Sequence, residues 1–95
     1  MIVDREALAR VCEQNDIIRL RVFGSFARGE ATPESDIDLL ADFGSAKGLF
    51  DLIQAEDDLT EVLGRPVDLL TEGGLSPYIK PHILRDARVF YERAA

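Results

Sequence analysis

The sequence predicts a small α/β (α+β) protein in which helices pack on a small mixed β-sheet. Helical and strand patterns alternate along the 95 residues, an order typical of a sheet covered by helices. The composition, 46% hydrophobic and 31% charged, is that of a globular protein. A chain of this length forms one core of modest size, so we expect a single domain over residues 1–95.

Charge and cysteine content exclude several classes of protein. The net charge of −7 argues against direct binding of nucleic acid, which needs basic residues to neutralise phosphates. It suits a protein that binds divalent metal or a basic partner. The lone Cys12 excludes an intrachain disulfide. No apolar run approaches the ~20 residues of a membrane span and the N-terminus lacks the form of a signal peptide, so we expect a cytoplasmic protein without membrane contact.

The first helix and the first strand are predicted from the first 23 residues. Asp4 is a suitable N-cap, and Asn15-Asp16 ends the helix. Its apolar face consists of Leu8, Val11 and Cys12. A strand follows over residues 17–23, because apolar and basic residues alternate there. The predicted buried side is Ile18, Leu20 and Val22, and the predicted solvated side is Arg19 and Arg21.

Two further strands enclose a long helix. Gly24-Ser25 turns the chain out of the first strand, residues 26–28 form a short helical segment that stops at Gly29, and residues 36–43 form the second strand. After a loop bounded by two glycines, a long amphipathic helix presents an acidic, solvated face. Its predicted apolar positions are Leu49, Leu52, Ile53, Leu59, Val62 and Leu63.

The C-terminal third of the chain contains the third strand, over residues 67–70. Ser76-Pro77 is a capping signal, and Pro81 divides the region, so we expect a helix from Pro81 to Asp86. The pattern of residues 89–91 fits either a fourth strand or a final helical turn.

Three aspartates in strand-like settings predict a metal site. Successive strand residues point to opposite faces, so Asp36 and Asp38 share one face while Ile37 enters the core. Two carboxylates side by side on a strand repel each other, and a divalent cation would offset this. Asp68, between two apolar residues of the third strand, supplies a third carboxylate if that strand pairs with the second.

The ligand type and the Gly-Ser turn together predict a nucleotide site. Three carboxylates suit Mg²⁺ or Mn²⁺ better than zinc, and such a triad can hold two ions. Gly24 permits close approach of the backbone to a ligand, and the amides that follow, with the Ser25 hydroxyl, suit the terminal phosphates of a triphosphate. The sequence therefore predicts a site for metal-bound nucleoside triphosphate.

The motifs resemble those of a known superfamily. Gly24-Ser25, ten residues and then Asp36-Ile37-Asp38 resemble the signature of the DNA polymerase β-like nucleotidyltransferases. The short length, Phe26-Ala27-Arg28-Gly29 and Pro66-Val67-Asp68-Leu69-Leu70 resemble the minimal nucleotidyltransferase branch, whose members are antitoxin partners of HEPN-domain ribonuclease toxins. The resemblance implies the polymerase β-like fold and a hetero-oligomer with such a toxin.

The resemblance also implies an activity. Members of the branch transfer AMP from ATP to a tyrosine hydroxyl of the toxin, with Mg²⁺. Asp36 and Asp38 would hold the metals, and Asp68 would ligate the catalytic metal and help to deprotonate the hydroxyl. Gly24 and Ser25 would bind the β- and γ-phosphates.

Other interpretations stay open from the sequence. Arg28 could contact a phosphate or the partner, or could be an exposed charge beside Gly29. The protein could be an antitoxin that blocks its toxin by binding alone. It could also transfer nucleotides to RNA or to a small molecule, although the acidic charge argues against RNA.

Overall fold

The structure, a computed structural model, describes residues 3–94. It contains four helices, α1 (Arg5–Gln14), α2 (Gly24–Arg28), α3 (Leu49–Leu63) and α4 (Lys80–Asp86), with a 3₁₀ turn at Glu72–Gly74. The strands are β1 (Ile17–Phe23), β2 (Ile37–Phe43), β3 (Val67–Leu70) and β4 (Arg88–Glu92).

The strands form one mixed sheet in the order β3-β2-β1-β4. β1 pairs antiparallel with both β2 and β4, and β2 pairs parallel with β3. The predicted mixed sheet is confirmed, and residues 89–91, which the sequence left open, belong to strand β4. No helix among residues 3–94 is long and apolar enough to cross a membrane.

The core lies on the side of the sheet that α1 and α3 cover. Asp4 caps α1 as predicted, because its carboxylate accepts a hydrogen bond from the Ala7 amide (3.1 Å). Apolar side chains of α1, α3 and strands β1, β2 and β3 pack together there. The fully buried members include Leu8, Cys12, Leu20, Ile37, Leu39 and Leu59. Burial of this set holds the two helices against one face of the sheet.

Strand β1 departs from its predicted alternation at Ile18. The side chain of Ile18 is 37% exposed, whereas Ile17 is fully buried. The register between β1 and β2 shifts between Ile17 and Arg19, so Ile18 is an extra residue in a β-bulge. Beyond the bulge Leu20 is buried as predicted, but Val22 is only half-buried and the buried residue at the end of the strand is Phe23.

The prediction of the apolar face of α3 is also partly wrong. Leu49 and Ile53 are exposed, at 70% and 47%, and the buried residues are Ala55, Leu59 and Leu63. The buried positions lie in the later turns, where α1 and β3 contact the helix. The acidic face is solvated at Asp51, Asp57 and Glu61, as predicted.

Two polar side chains of α3 close the outer edge of the sheet at β3. Thr60 Oγ1 accepts a hydrogen bond from the Val67 amide (3.2 Å), and a Glu56 carboxylate oxygen accepts one from the Leu69 amide (3.0 Å). These amides point away from β2 and would otherwise lack a strand partner. Glu56 is therefore part of the fold as well as of the acidic face.

Candidate functional site

Asp38 and Asp68 stand opposite each other on the parallel strands β2 and β3. Paired residues of neighbouring strands point to the same face and lie ~4.8 Å apart at the backbone. Their strand neighbours Ile37 and Val67 are buried on the other face. Asp36 is exposed and directly precedes β2, so it borders the strand pair and is not part of the strand.

Asp68 and Asp36 lie close enough to Asp38 to affect its pKa. Burial raises the pKa of Asp38, and the negative charges of Asp68 and Asp36 raise it further, while Arg28 opposes them. Within residues 3–94, no group of three His, Cys, Asp or Glu side chains is arranged so that it could hold a metal ion. The structure thus brings Asp38 and Asp68 to one face beside Asp36.

The Gly-Ser turn lies directly against Asp38. Gly24 has a φ of +69°, a conformation that glycine adopts without strain. A Cβ placed on Gly24 would collide with the Asp38 carboxylate. The contact arises because Phe23 at the end of β1 pairs with Asp38. Pairing of β1 with β2 therefore closes the ten-residue gap between the two motifs of the sequence.

Helix α2 begins at this turn and carries Ser25 and Arg28. It ends at Gly29, which has a φ of +72°, so the predicted stop is confirmed. The Ser25 carbonyl accepts a hydrogen bond from the Glu30 amide (2.8 Å). Arg28 is half exposed, pairs with Glu30 (2.6 Å) and approaches Asp86 of α4 (3.8 Å). Arg28 is thus an exposed ion-pair partner that also lies near Asp38.

Arg21, which was predicted to be solvated, is mostly covered in the structure. The Arg21 side chain is only 14% exposed and pairs with Glu72 (2.5 Å) and Asp42 (3.6 Å). The hydrogen bond from Arg21 lowers the pKa of Glu72. Glu72 also approaches Lys80 at the start of α4 (3.5 Å). Arg21 therefore ties the segment after β3 to the middle of the sheet.

Arg65 is a second arginine whose contacts the sequence did not reveal. Its Nη1 donates to the carbonyl oxygens of Thr32 (3.3 Å) and Ser35 (3.4 Å). Its guanidinium lies 5.1 Å from the centroid of the Phe26 ring. The available signal was its place between the glycine that ends α3 and the strand that carries Asp68.

The profile of the nucleotidyltransferase domain family matches residues 4–90 of the chain. A protein of Methanocaldococcus jannaschii, provisionally named a protein adenylyltransferase, is 43% identical over 74 residues, which are 78% of this chain and 80% of that protein. The protein adenylyltransferase MntA of Thermococcus cleftensis is 38% identical over 74 residues, 78% of this chain and 75% of that one.

Solved structures agree with this assignment. A structure described as a minimal nucleotidyltransferase superposes with a TM-score of 0.74 at 42% identity, over 88% of this chain and 86% of that one. A complex described as a tri-AMPylated HEPN toxin of Shewanella oneidensis with its MNT antitoxin matches with a TM-score of 0.67 at 14% identity, over 93% and 69% of the two chains. At that identity the second match bears on the fold alone. The chain belongs to the nucleotidyltransferase domain family and has the polymerase β-like fold of a minimal nucleotidyltransferase.

Proposed function

We propose that this nucleotidyltransferase is an antitoxin that transfers AMP from ATP to a tyrosine hydroxyl of a partner HEPN ribonuclease toxin in the cytoplasm. The observation that carries the proposal is the contact of the Gly24 turn with the Asp38 carboxylate, opposite Asp68. This juxtaposition suits a triphosphate bound between backbone amides and carboxylates. The names of the relatives support adenylyl transfer to protein.

The carboxylates fit a hard divalent cation. Asp36, Asp38 and Asp68 offer only oxygen donors. Burial and the charges of the other two aspartates raise the pKa of Asp38, and a nearby cation would lower it again. We assign these three residues as ligands of Mg²⁺, with two ions and Mn²⁺ as an alternative metal. When bound, the metal neutralises charge on the phosphates and aligns the α-phosphate for attack.

The residues of the chain have distinct roles in the proposed transfer. Gly24 and Ser25 bind the β- and γ-phosphates through backbone amides and the serine hydroxyl. The tyrosine oxygen attacks the α-phosphorus, a new O–P bond forms, and the bond to pyrophosphate breaks. Asp68, the exposed member of the pair, accepts the proton of the hydroxyl. Arg28, near Asp38, helps to hold the phosphates that leave. Catalysis then comes from orientation and charge stabilisation.

The acceptor comes from a partner protein in this proposal. Asp36 and Asp68 are exposed, so a tyrosine side chain of another protein can reach the carboxylates. The complex of a HEPN toxin with its MNT antitoxin supports a hetero-oligomer. The net charge of −7 favours a protein acceptor over a nucleic acid.

The test is transfer of AMP to the protein that the neighbouring gene encodes, which this proposal expects to be a HEPN toxin. Purified protein is incubated with that partner, labelled ATP and Mg²⁺, and mass spectrometry locates the added AMP. Asp38→Asn should abolish the transfer, whereas Asp57→Asn on the solvated face of α3 should not. If Asp38→Asn neutralises the toxin as well as the wild type does and no AMP is found, the protein is an antitoxin that acts by binding. Label on RNA or a small molecule would identify a different acceptor.

A further inference from the structure

We propose that Arg65 is a positioning residue, which fixes the distance between the phosphate side of the nucleotide site, Gly24-Ser25, and its carboxylate side, Asp36 and Asp38. The inference rests on the proposed function and adds a residue that lies outside the sequence motifs. It concerns binding of the metal–nucleotide complex, which can be measured without the acceptor protein.

One guanidinium contacts both ends of the segment that separates the two motifs. Phe26, whose ring lies 5.1 Å from the Arg65 guanidinium, directly follows Ser25 in α2. Ser35, whose carbonyl accepts a hydrogen bond from Arg65 Nη1 (3.4 Å), directly precedes Asp36. A shift of Arg65 would therefore move the Gly-Ser turn relative to the aspartates.

The segment that Arg65 holds has its own local order. The Ser35 amide donates to the Thr32 carbonyl (3.0 Å), and the Thr32 amide donates to Ser35 Oγ (2.8 Å). These bonds close a turn whose two carbonyls face Arg65. Residues 28–34 are exposed, so the packed core does not fix this turn, and Arg65 links it to the rest of the molecule.

Arg65 is itself attached to the strand that carries the third aspartate. It lies between Gly64, where α3 ends with a φ of +73°, and β3. The next carbonyl, of Pro66, accepts a hydrogen bond from the Ile37 amide (2.9 Å) at the start of β2. Arg65 thus connects the start of β3, with Asp68 close by, to the other two segments of the site.

The contacts require arginine rather than any cation. A guanidinium is planar, so it can stack on an aromatic ring and donate hydrogen bonds in its own plane at the same time. A lysine ammonium has no such plane and cannot make both kinds of contact equally well. Arg65→Lys therefore keeps the charge and removes the geometry, which makes it the informative substitution.

The experiment measures the Kd of the Mg²⁺ complex of AMP-PNP by calorimetry, and thermal unfolding, for wild type and variants. Arg65→Lys should weaken binding about 10-fold at a temperature where the protein is fully folded, because a site that has the binding geometry in about a tenth of the molecules binds with a proportionally lower apparent affinity. Arg10→Lys, an exposed position on α1, is the matched control and should bind as the wild type does. Phe26→Leu should also weaken binding, and the double variant should be less than additive.

The possible results separate this inference from the proposed function. Unchanged Kd in Arg65→Lys, or full additivity with Phe26→Leu, would overturn the positioning role even if the wild type transfers AMP. A weaker Kd without any AMP transfer by the wild type would support the positioning role and contradict the proposed function. Failure of the wild type to bind the AMP-PNP complex would overturn both.

Discussion

Replacement of Gly24 by alanine should destabilise the protein through two separable effects. The φ of +69° costs an L-residue about 1–2 kcal/mol. The new Cβ would also collide with the Asp38 carboxylate, and relief of such overpacking typically costs a further ~1–3 kcal/mol. The free energy of unfolding should therefore fall by about 2–5 kcal/mol, the sum of these two terms.

The chain offers a matched control for the first effect. Gly64 has a φ of +73°, and a Cβ there would meet nothing within 4 Å. Gly64→Ala should therefore lose only the conformational part, about 1–2 kcal/mol. For a domain of this size each kcal/mol corresponds to roughly 4–8 °C in Tm.

Urea and thermal unfolding of both variants measure the difference. Gly24→Ala should lose clearly more stability than Gly64→Ala, and truncation of the carboxylate by Asp38→Ala should recover part of the excess in the double variant. Equal losses in the two glycine variants, or no recovery in the double variant, would show that the Gly24 turn does not closely contact the Asp38 carboxylate.

Three further predictions concern pH and reactivity. Because the pKa of Asp38 is raised in the folded state, its ionised form opposes folding, so Asp38→Asn should raise the urea midpoint at pH 7. The gain should disappear below about pH 4, where Asp38 is protonated in both states; a loss of stability at pH 7 would contradict the crowding of the carboxylates. Hydrogen bonds from Lys47 and Ser45 lower the pKa of Asp16, so Asp16→Asn should destabilise the protein at neutral pH. That deficit should shrink as the pH falls and the wild-type carboxylate is protonated, and unfolding curves that differ equally at all pH values would refute the linkage. Burial raises the pKa of Cys12 to about 12, so a thiol reagent at pH 8 should modify the unfolded protein and not the native one; rapid modification of the native protein would contradict the burial.

The parts of the fold that could be predicted depend on local pattern. Strands β1 and β3 have the predicted bounds, and β2 begins one residue later than predicted. The opposite faces of Asp38 and its strand neighbour Ile37 follow from alternation alone. The contact of Gly24 with Asp38 depends on which strands pair, and no local pattern determines that pairing.

The parts that could not be predicted depend on distant residues. The bulge at Ile18 arises from the register with β2, and exposure of Leu49 follows from what α1 and β3 leave uncovered. Arg65 contacts carbonyls 30 and 33 residues earlier in the chain. Arg21 is only 14% exposed, and its partner Glu72 lies 51 residues away in the sequence. A local sequence pattern cannot reveal contacts between residues that are so far apart in the chain.

The register of β2 with β3 links correct folding to the formation of the carboxylate pair. The same alignment that places Asp38 opposite Asp68 places Leu39 opposite Leu69 in the core. A slip of one residue would turn Asp68 into the apolar interior and expose Leu69, and burial of an unpaired carboxylate costs several kcal/mol. Chains with a shifted register are therefore too unstable to accumulate as folded molecules in which Asp38 and Asp68 lie apart. Activity per folded molecule should be uniform across a preparation, and defects should lower the yield of folded protein instead.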